Sequence, residues 1–471
     1  MGAVPTPPRS RPRIVIAGGG VAAVEALLAL RHLLGQQVSI ELLAPEPEFV
    51  HRPSSVAVPF GFGAPAPLDL HALAARFGAT VRRAALAGVD SQRRVALVGG
   101  PDEVPYDILV VAVGAVARAT LPGAVVFGGP ADAPALEALL SSVKRGEARR
   151  IVFALPSRAT WPLPIYELAI MTAAELGGRG LSGAELTVVT PEREPLWLFG
   201  PAAGAAVREL LRARGIHLRT SARPATVGEG VLGLDSGEEL EADAVVALPE
   251  LEGPRLPGLP SDERGFLEVD ANGRVTGVAD VYAAGDATAF PIKQGGLAAQ
   301  QADAVAEAIA ARLGRLPHAA PFQPVLRGLL LTGGAPLYLR AELSPGGALR
   351  EHHAGVGAGP SLRGQASGRA LWWPPGKVAG RYLAPYLATA RPLQLAANAL
   401  EDRAPSAGAQ AADREDALEL ALLLADEDAK LGDYRQALHA LDAAAALGGG
   451  VLPSAWAERR SRWQHELAAI Q

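Results

Sequence analysis

The chain has 471 residues, of which 49% are apolar and 20% charged, with 44 Lys and Arg against 49 Asp and Glu and a net charge of −5. That length suits about three domains, and the mixed charge, without a basic stripe or aromatic–basic run, excludes a nucleic-acid binder. No run of about 18 uncharged apolar residues exists to cross a bilayer, and the absence of cysteine excludes disulfides, thiolate metal sites and a redox-active dithiol.

Met1 to Arg13 is a Pro/Arg-rich tail without the apolar stretch of a signal peptide, so the chain is expected in the cytoplasm. Arg13 to Ala17 reads as a buried strand, followed by the turn Gly18-x-Gly20-x-x-Ala23 and a helix to about Leu34. Val38 to Leu43 supplies the next strand. Glycines at such a turn let the backbone approach a pyrophosphate, which rests on the positive end of the helix, so this is a dinucleotide fingerprint with Ala23 at its third position. The ribose-binding carboxylate belongs at the end of the second strand. Ala44 stands there, and Glu46 is the nearest acidic replacement.

Phe49-Val-His51-Arg52-Pro53 then opens a Gly/Pro-rich loop to Pro67. A lone loop histidine is commonly a satisfied surface group. Thr80 to Val98 alternates as a β-ribbon. Tyr106 to Gly114 is a near-continuous apolar strand ending in glycine.

Residues 121–255 resemble a decayed copy of the first unit. Arg150 to Leu155 and Leu186 to Glu192 repeat its two strands, and Thr-Pro-Glu192 echoes Ala-Pro-Glu46. Between them Pro156-Ser-Arg-Ala-Thr-Trp161-Pro-Leu-Pro-Ile-Tyr-Glu167 replaces the glycine turn. Proline and tryptophan offer neither bare backbone nor free N–H groups to a pyrophosphate. Arg158 could grip a phosphate by charge, while Trp161, Pro162, Pro164 and Tyr166 suit either a pocket wall or plain packing.

Val281 to Ala284 is a strand that meets Gly285-Asp286 and opens an Ala-rich helix over roughly 294–312, with Lys293 and Gln294 at its start. Two strand–glycine–helix turns so far apart in sequence can converge on one dinucleotide.

That pairing resembles the two FAD-binding motifs of the glutathione-reductase-like flavoproteins, the pyridine nucleotide-disulfide oxidoreductases. The resemblance covers residues 13–400. It implies an α/β fold with two Rossmann-like dinucleotide-binding domains, a C-terminal α+β segment and a helical tail. The expected division is a tail at 1–12, an FAD-binding domain from 13–120 plus 256–320, and an NAD(P)-binding-like domain at 121–255. A C-terminal cap at 321–403 and a helical hairpin at 413–471 follow.

Gly114 resembles the end of the family's crossover motif, with Val113 for threonine. Asp286 resembles the aspartate that binds the ribityl–pyrophosphate region of FAD. Lys293, beside the helix start that faces the flavin N1–C2=O edge, would stabilise the reduced anion unless it is an ordinary exposed lysine. The implied cofactor contacts are therefore Gly18, Gly20, Ala23, Glu46, Gly114, Gly285, Asp286, Lys293 and Gln294. The resemblance gives no catalytic residue, and no metal is expected.

The organisation is nearest to sulfide:quinone oxidoreductases and type II NADH dehydrogenases, from which this chain departs by having no cysteine for sulfur chemistry. The implied activity is transfer of two electrons through FAD to a quinone-like or other small acceptor. Two alternatives stand beside it. One is an NAD(P)H-dependent reductase holding nucleotide through Arg158 and Glu192; the other is a redox-sensing or scaffold flavoprotein acting through its tail.

Trp372, Trp373 and Tyr382, interleaved with Lys377 and Arg381, suit a lid over the flavin or a contact with the inner membrane face. In the tail, Asp413 is an N-cap candidate. Leu418, Ala421, Leu422, Ala425 and Ala429 share one helical face, and a second helix runs from Tyr434 to Leu447. A third follows Pro453. This hairpin suits packing on its own domain, a homodimer or a protein partner.

Overall fold

The computed structural model describes residues 11–62, 67–158, 160–181, 183–349, 351–353, 360–362, 364–372 and 374–390. In the tail it describes Leu418, Leu422, Ala425, Asp426 and Ala429, then residues 434–447 and 451–470. Trp373, Asp413 and Ala421 lie outside the described residues.

Two parallel sheets are built to one plan. The first contains β1 (Arg13–Ala17), β2 (Ser39–Leu43), β3 (Thr80–Arg82), β4 (Ile108–Val111) and, far along the chain, the strand Val281–Ala283. Its spatial order is Val281–Ala283, β4, β1, β2, β3, all parallel. Period-two alternation decides both faces. Ile14, Ile16, Ile108 and Val110 pack under α1 (Val21–Leu34) and the helix Gly295–Arg312. Val15, Ala17, Leu109 and Val111 face the other way, towards a three-stranded antiparallel sheet of Leu86–Asp90, Val95–Val98 and Glu103–Pro105.

The expected ribbon over residues 80–98 is thus divided. Thr80–Arg82 joins the parallel sheet through Glu41, Leu42 and Leu43, because Arg82 pairs with the Glu41 carboxylate there, and the hairpin proper begins at Leu86.

The second sheet repeats this with β5 (Val125–Val126), β6 (Arg150–Ala154), β7 (Glu185–Val189), β8 (His217–Arg219) and β9 (Ala244–Ala247), in the order β5, β9, β6, β7, β8. Helix α2 (Leu163–Gly178) covers one face, and an antiparallel sheet of Pro224–Gly228, Val231–Leu234 and Glu239–Glu241 covers the other. The chain crosses out through Val116–Arg118 and back through Glu250–Glu252, and these two strands pair antiparallel. Gly253 and Gly265 meet so closely behind this crossing that a Cβ on Gly253 would overlap Gly265.

Strand β10 (Val281–Ala283) and α3 (Gly295–Arg312) complete the first unit. A three-stranded sheet of Val325–Leu330, Leu337–Glu342 and Gly364–Ser367 then packs its Leu326, Leu329, Leu330 and Leu339 into the core of the second unit. Residues 374–382 return as a strap to the first unit, where α4 (Leu383–Ala390) buries Leu383 against α1 and α3.

The aromatic surface expected around residue 372 does not form at Trp372. Its indole is 5% exposed and meets Tyr338 edge-on, with ring centres 5.3 Å apart, because the strap turns its apolar groups onto the sheet. Tyr382 is half-buried against His32. In the tail, the helix Tyr434–Leu447 packs with Ser454–Ile470 around Ala437, Leu441 and Trp463.

Candidate functional site

Both glycine turns converge at the starts of α1 and α3. Gly18 has φ +135°, and a Cβ there would overlap the Ala112 carbonyl. The position therefore admits only glycine, and it lets β1 and β4 end side by side. Gly20 caps α1 with extended backbone and no side-chain hydrogen bond, and no acidic residue occupies the first turn. The N–H-rich positive end of α1 is left to a ligand. Nothing lies within 4 Å of where a Cβ would stand on Gly20 or on Gly114, which has φ +78°. Ala23 is wholly buried in the helix–sheet core. Glu46 is exposed, two residues past the buried Ala44.

Gly285, also at φ +78°, stands between the helices: its Cβ would lie 3.0 Å from Ala22 on α1 and 3.4 Å from Ala298 on α3. Its N–H donates to the Gln301 amide oxygen at 2.7 Å, and its carbonyl accepts from the Thr288 hydroxyl at 2.9 Å. Asp286 follows. Burial pushes its carboxyl up, against the opposing pull of Lys293 and Arg52. Asp286 is half-buried, and no described protein group donates a hydrogen bond to its carboxylate, which is left open to a ligand or to water.

Lys293 is 8% exposed, not an ordinary surface lysine. Its ammonium donates to the Thr288 carbonyl and sits 3.7 Å from the centre of the Phe266 ring. Burial brings it down to about 8, opposed by the charges of Asp286 and Asp262. Gln294 is the N-cap of α3. Its amide oxygen accepts from Leu297 N–H at 2.8 Å, and its amide nitrogen donates to the Arg327 carbonyl at 3.0 Å. That side chain is a fastener between α3 and the C-terminal sheet, and the helix start it holds has Gly295 half-buried and Gly296 buried.

What closes on Gly295 is informative. Its Cβ position is 3.0 Å from Val378, 3.5 Å from Pro53 and 3.9 Å from Val21. The strap, the His51–Phe60 loop and α1 therefore meet at one point. Next to Val378, Lys377 is fully buried and ion-paired with Glu167 of α2. The Glu167 Oε1 also accepts from Leu331 N–H at 2.7 Å, while its Oε2 has no partner. Burial pushes the Glu167 carboxyl up and the Lys377 ammonium down, each opposed by the other's charge. His51 is buried, with Nδ1 2.8 Å from the Ser54 hydroxyl. Burial first, then the charge of Lys377, lowers it to about 4, so it is neutral at physiological pH.

Sequence reasoning passed over Glu167 and Lys377 as chemistry. The one available signal was the position of Glu167, five residues into the helix after the second unit's first strand, as Glu25 is in the first.

Where a glycine turn would stand in the second unit, the side chains bond to one another. Glu192 Oε2 accepts from the Tyr166 hydroxyl at 2.7 Å and the Thr190 hydroxyl at 3.2 Å, with further bonds from the Leu196 and Trp197 backbone. Arg158 donates to the Pro191 carbonyl at 2.9 Å. Trp161 packs edge-on to Phe199 at 5.9 Å. Among the described residues no cluster of His, Cys, Asp and Glu could hold a metal ion, and no helix is long and apolar enough to cross a membrane.

Residues 167–309 match the family model of pyridine nucleotide-disulphide oxidoreductases. NADH dehydrogenase-like proteins from two strains of Mycobacterium tuberculosis are 31% identical to the chain over 225 residues, which is 44% of this chain and 54% of theirs. The chain thus spans about half the length of these curated relatives. The sulfide:quinone oxidoreductase of Aquifex aeolicus has the same fold at TM-score 0.64 and 18% identity, covering 70% of this chain and 84% of that one. A ferredoxin reductase of Rhodopseudomonas palustris follows at TM-score 0.56 and 18% identity, covering 70% and 83%. These solved structures share the chain's fold of two Rossmann-like parallel-sheet units.

Proposed function

We propose that this chain is an FAD-dependent oxidoreductase that passes two electrons to a quinone-like acceptor without a redox-active disulfide. The observation that carries the reading is the open cradle at the starts of α1 and α3, where Gly20 and Gly114 face empty space and Asp286 waits without a donor. When bound, FAD supplies the two-electron chemistry.

The chain's own residues divide the remaining work. Gly18, Gly20 and the start of α1 receive the pyrophosphate, and Asp286 accepts from a sugar hydroxyl. Glu46 is the candidate for the adenosine ribose. The positive start of α3 and the buried Lys293 favour negative charge on the ring system beside them. Reducing a quinone-like acceptor consumes two protons. Lys377, next to the Val378 contact with Gly295, is the candidate to deliver one, which would leave a neutral amine beside the Glu167 carboxylate; solvent would supply the second proton and the one that restores Lys377.

The relatives named NADH dehydrogenase-like support a second reading, with NADH as the donor. Against its usual binding mode stands Glu192, whose carboxylate is occupied by Tyr166 and Thr190. Mixing the yellow protein with NADH or NADPH without oxygen separates the two. Prompt bleaching of the flavin establishes the nicotinamide donor. A flavin that stays oxidised with both, yet is reoxidised by a short-chain quinone after dithionite reduction, supports the first reading.

A further inference from the structure

Glu25 lies in α1, wholly buried. Its Oε1 accepts from Tyr382 N–H at 2.7 Å and its Oε2 from Leu383 N–H at 2.8 Å, so it caps α4 from another part of the chain. Gly380 approaches it so closely that any side chain there would collide with the carboxylate. The same carboxylate is hydrogen-bonded to Asp303 of α3, whose Oδ1 has no other partner. The nearest cation, Arg381, is paired with Glu307 at 3.1 Å.

We propose that the Glu25–Asp303 carboxyl pair is a proton-operated catch that holds residues 377–383 across the start of α3, and with them Lys377 in the site. Two buried carboxyls in hydrogen-bond contact cannot both ionise cheaply, so one shared proton keeps the pair at a single negative charge. That single charge accepts both backbone N–H groups of the strap. A second charge would have to share Arg381, which acts on Asp303, with Glu307.

The groups around the pair are few. From α1 comes His32, which burial and Arg381 push down and Asp442 of the tail pulls up. From α3 comes Glu307. From the strap come Arg381 and Tyr382, the latter pushed up to about 12 by burial. His32, held below its ordinary range, gives up its proton earlier than a free imidazole as pH rises, and Tyr382 keeps its own.

Burial raises Glu25 from 4.5 to about 7, and burial, then the charge of Glu25, raises Asp303 well above its ordinary range. In a released strap both carboxyls meet water and titrate normally. The docked state therefore binds more protons than the released one, and docking weakens as pH rises. The Glu25 contribution is complete below its ordinary value and is lost as pH climbs to about 7. Asp303, raised in the same direction, adds a loss of the same sign.

The test is hydrogen exchange on the full chain, following the Tyr382 and Leu383 amides after correction for the intrinsic pH dependence of exchange. Protection of these two amides should fall at least about tenfold between about pH 5 and about pH 8.5, while the Ala298 amide in α3 stays protected. Asp303→Asn keeps a donor towards Glu25 but cannot ionise. With one of the two titrating carboxyls gone, it should lose clearly less protection over that interval than the wild type. Flat protection in the wild type overturns the proposal. So does Asp303→Asn falling as steeply as wild type, or loss of Ala298 protection in step with the strap.

Discussion

Glu25 and Glu167 occupy the same place in the two halves of the molecule: each is the fifth residue of the helix after its sheet's first strand, α1 from Val21 and α2 from Leu163. Each is buried, and each reaches out to the C-terminal part of the chain, Glu25 to Tyr382 and Leu383, Glu167 to Leu331 and Lys377. The strap is thus tied at both ends by a repeated position. Lys377→Met removes one end and leaves Glu167 as an unpaired buried carboxylate. It should cost about 3–5 kcal/mol in urea unfolding, and Glu167→Leu in the same chain should restore most of that. A double variant as unstable as the single one would mean that the pair is not the tie.

The two fingerprint glycines should separate folding from cofactor binding. Gly18→Ala forces a residue with Cβ into φ +135° and against Ala112. A strain of about 1–3 kcal/mol plus the clash should lower the melting temperature by several degrees. Gly20→Val points into empty space and should leave the melting temperature of the flavin-free chain nearly unchanged while reducing bound FAD. Absorbance at the flavin band, set against protein content, measures the second effect. Full FAD in Gly20→Val would remove the basis of the cofactor assignment.

Lys293→Met should lower the midpoint potential of bound FAD. One kcal/mol on a two-electron couple is on the order of 20 mV, and a unit charge near 4 Å at an effective dielectric constant of 20 interacts by about 4 kcal/mol. Tens of millivolts are therefore expected. Because Lys293 is brought down to about 8, it carries its charge below that pH and loses it above. The gap between wild type and variant should be widest in mildly acidic buffer and close as pH rises past 8. Spectroelectrochemical titration at several pH values tests both the size and the trend.

Glu192 explains why nicotinamide nucleotides should bind poorly. Tyr166→Phe takes away the 2.7 Å donor and should cost about 1–3 kcal/mol of stability. It should not create nucleotide affinity, because Pro156 and Trp161 still replace the glycine turn. Micromolar binding of NADH to the wild type by calorimetry would reverse the order of the two functional readings.

Much of the parallel-sheet architecture was legible because its strands are short apolar runs ending in glycine (β1, β4, β10) or in proline-containing turns (β2, β6, β7), and these place all six within a few residues. The helix expected over 294–312 begins at Gly295, since the Gln294 cap is a local signal. What stayed hidden depends on contacts across the chain. Thr80–Arg82 reads as part of a ribbon until Arg82 meets Glu41. Lys377 and Trp372 read as a lid or a membrane contact until the strap folds down, because nothing local in a Trp-Pro-Pro-Gly-Lys stretch encodes a partner more than 200 residues earlier, such as Glu167. Lys293 was legible as a group at the start of α3, but its cover by Phe266 was not.

The pairing of Val116–Arg118 with Glu250–Glu252 makes the second unit an insertion within the first, which has a consequence for synthesis on the ribosome. Strand β4 emerges early but gains its outer neighbour β10 only after the whole second unit has been made. At about 5–20 residues per second this leaves a wholly buried apolar strand, Ile108–Val111, with an open edge for on the order of ten to thirty seconds. During that interval the inserted unit can mature while its host cannot. Nascent chains arrested before residue 281 should therefore carry a protease-resistant second unit beside a first unit that needs a chaperone to shield its unfinished edge.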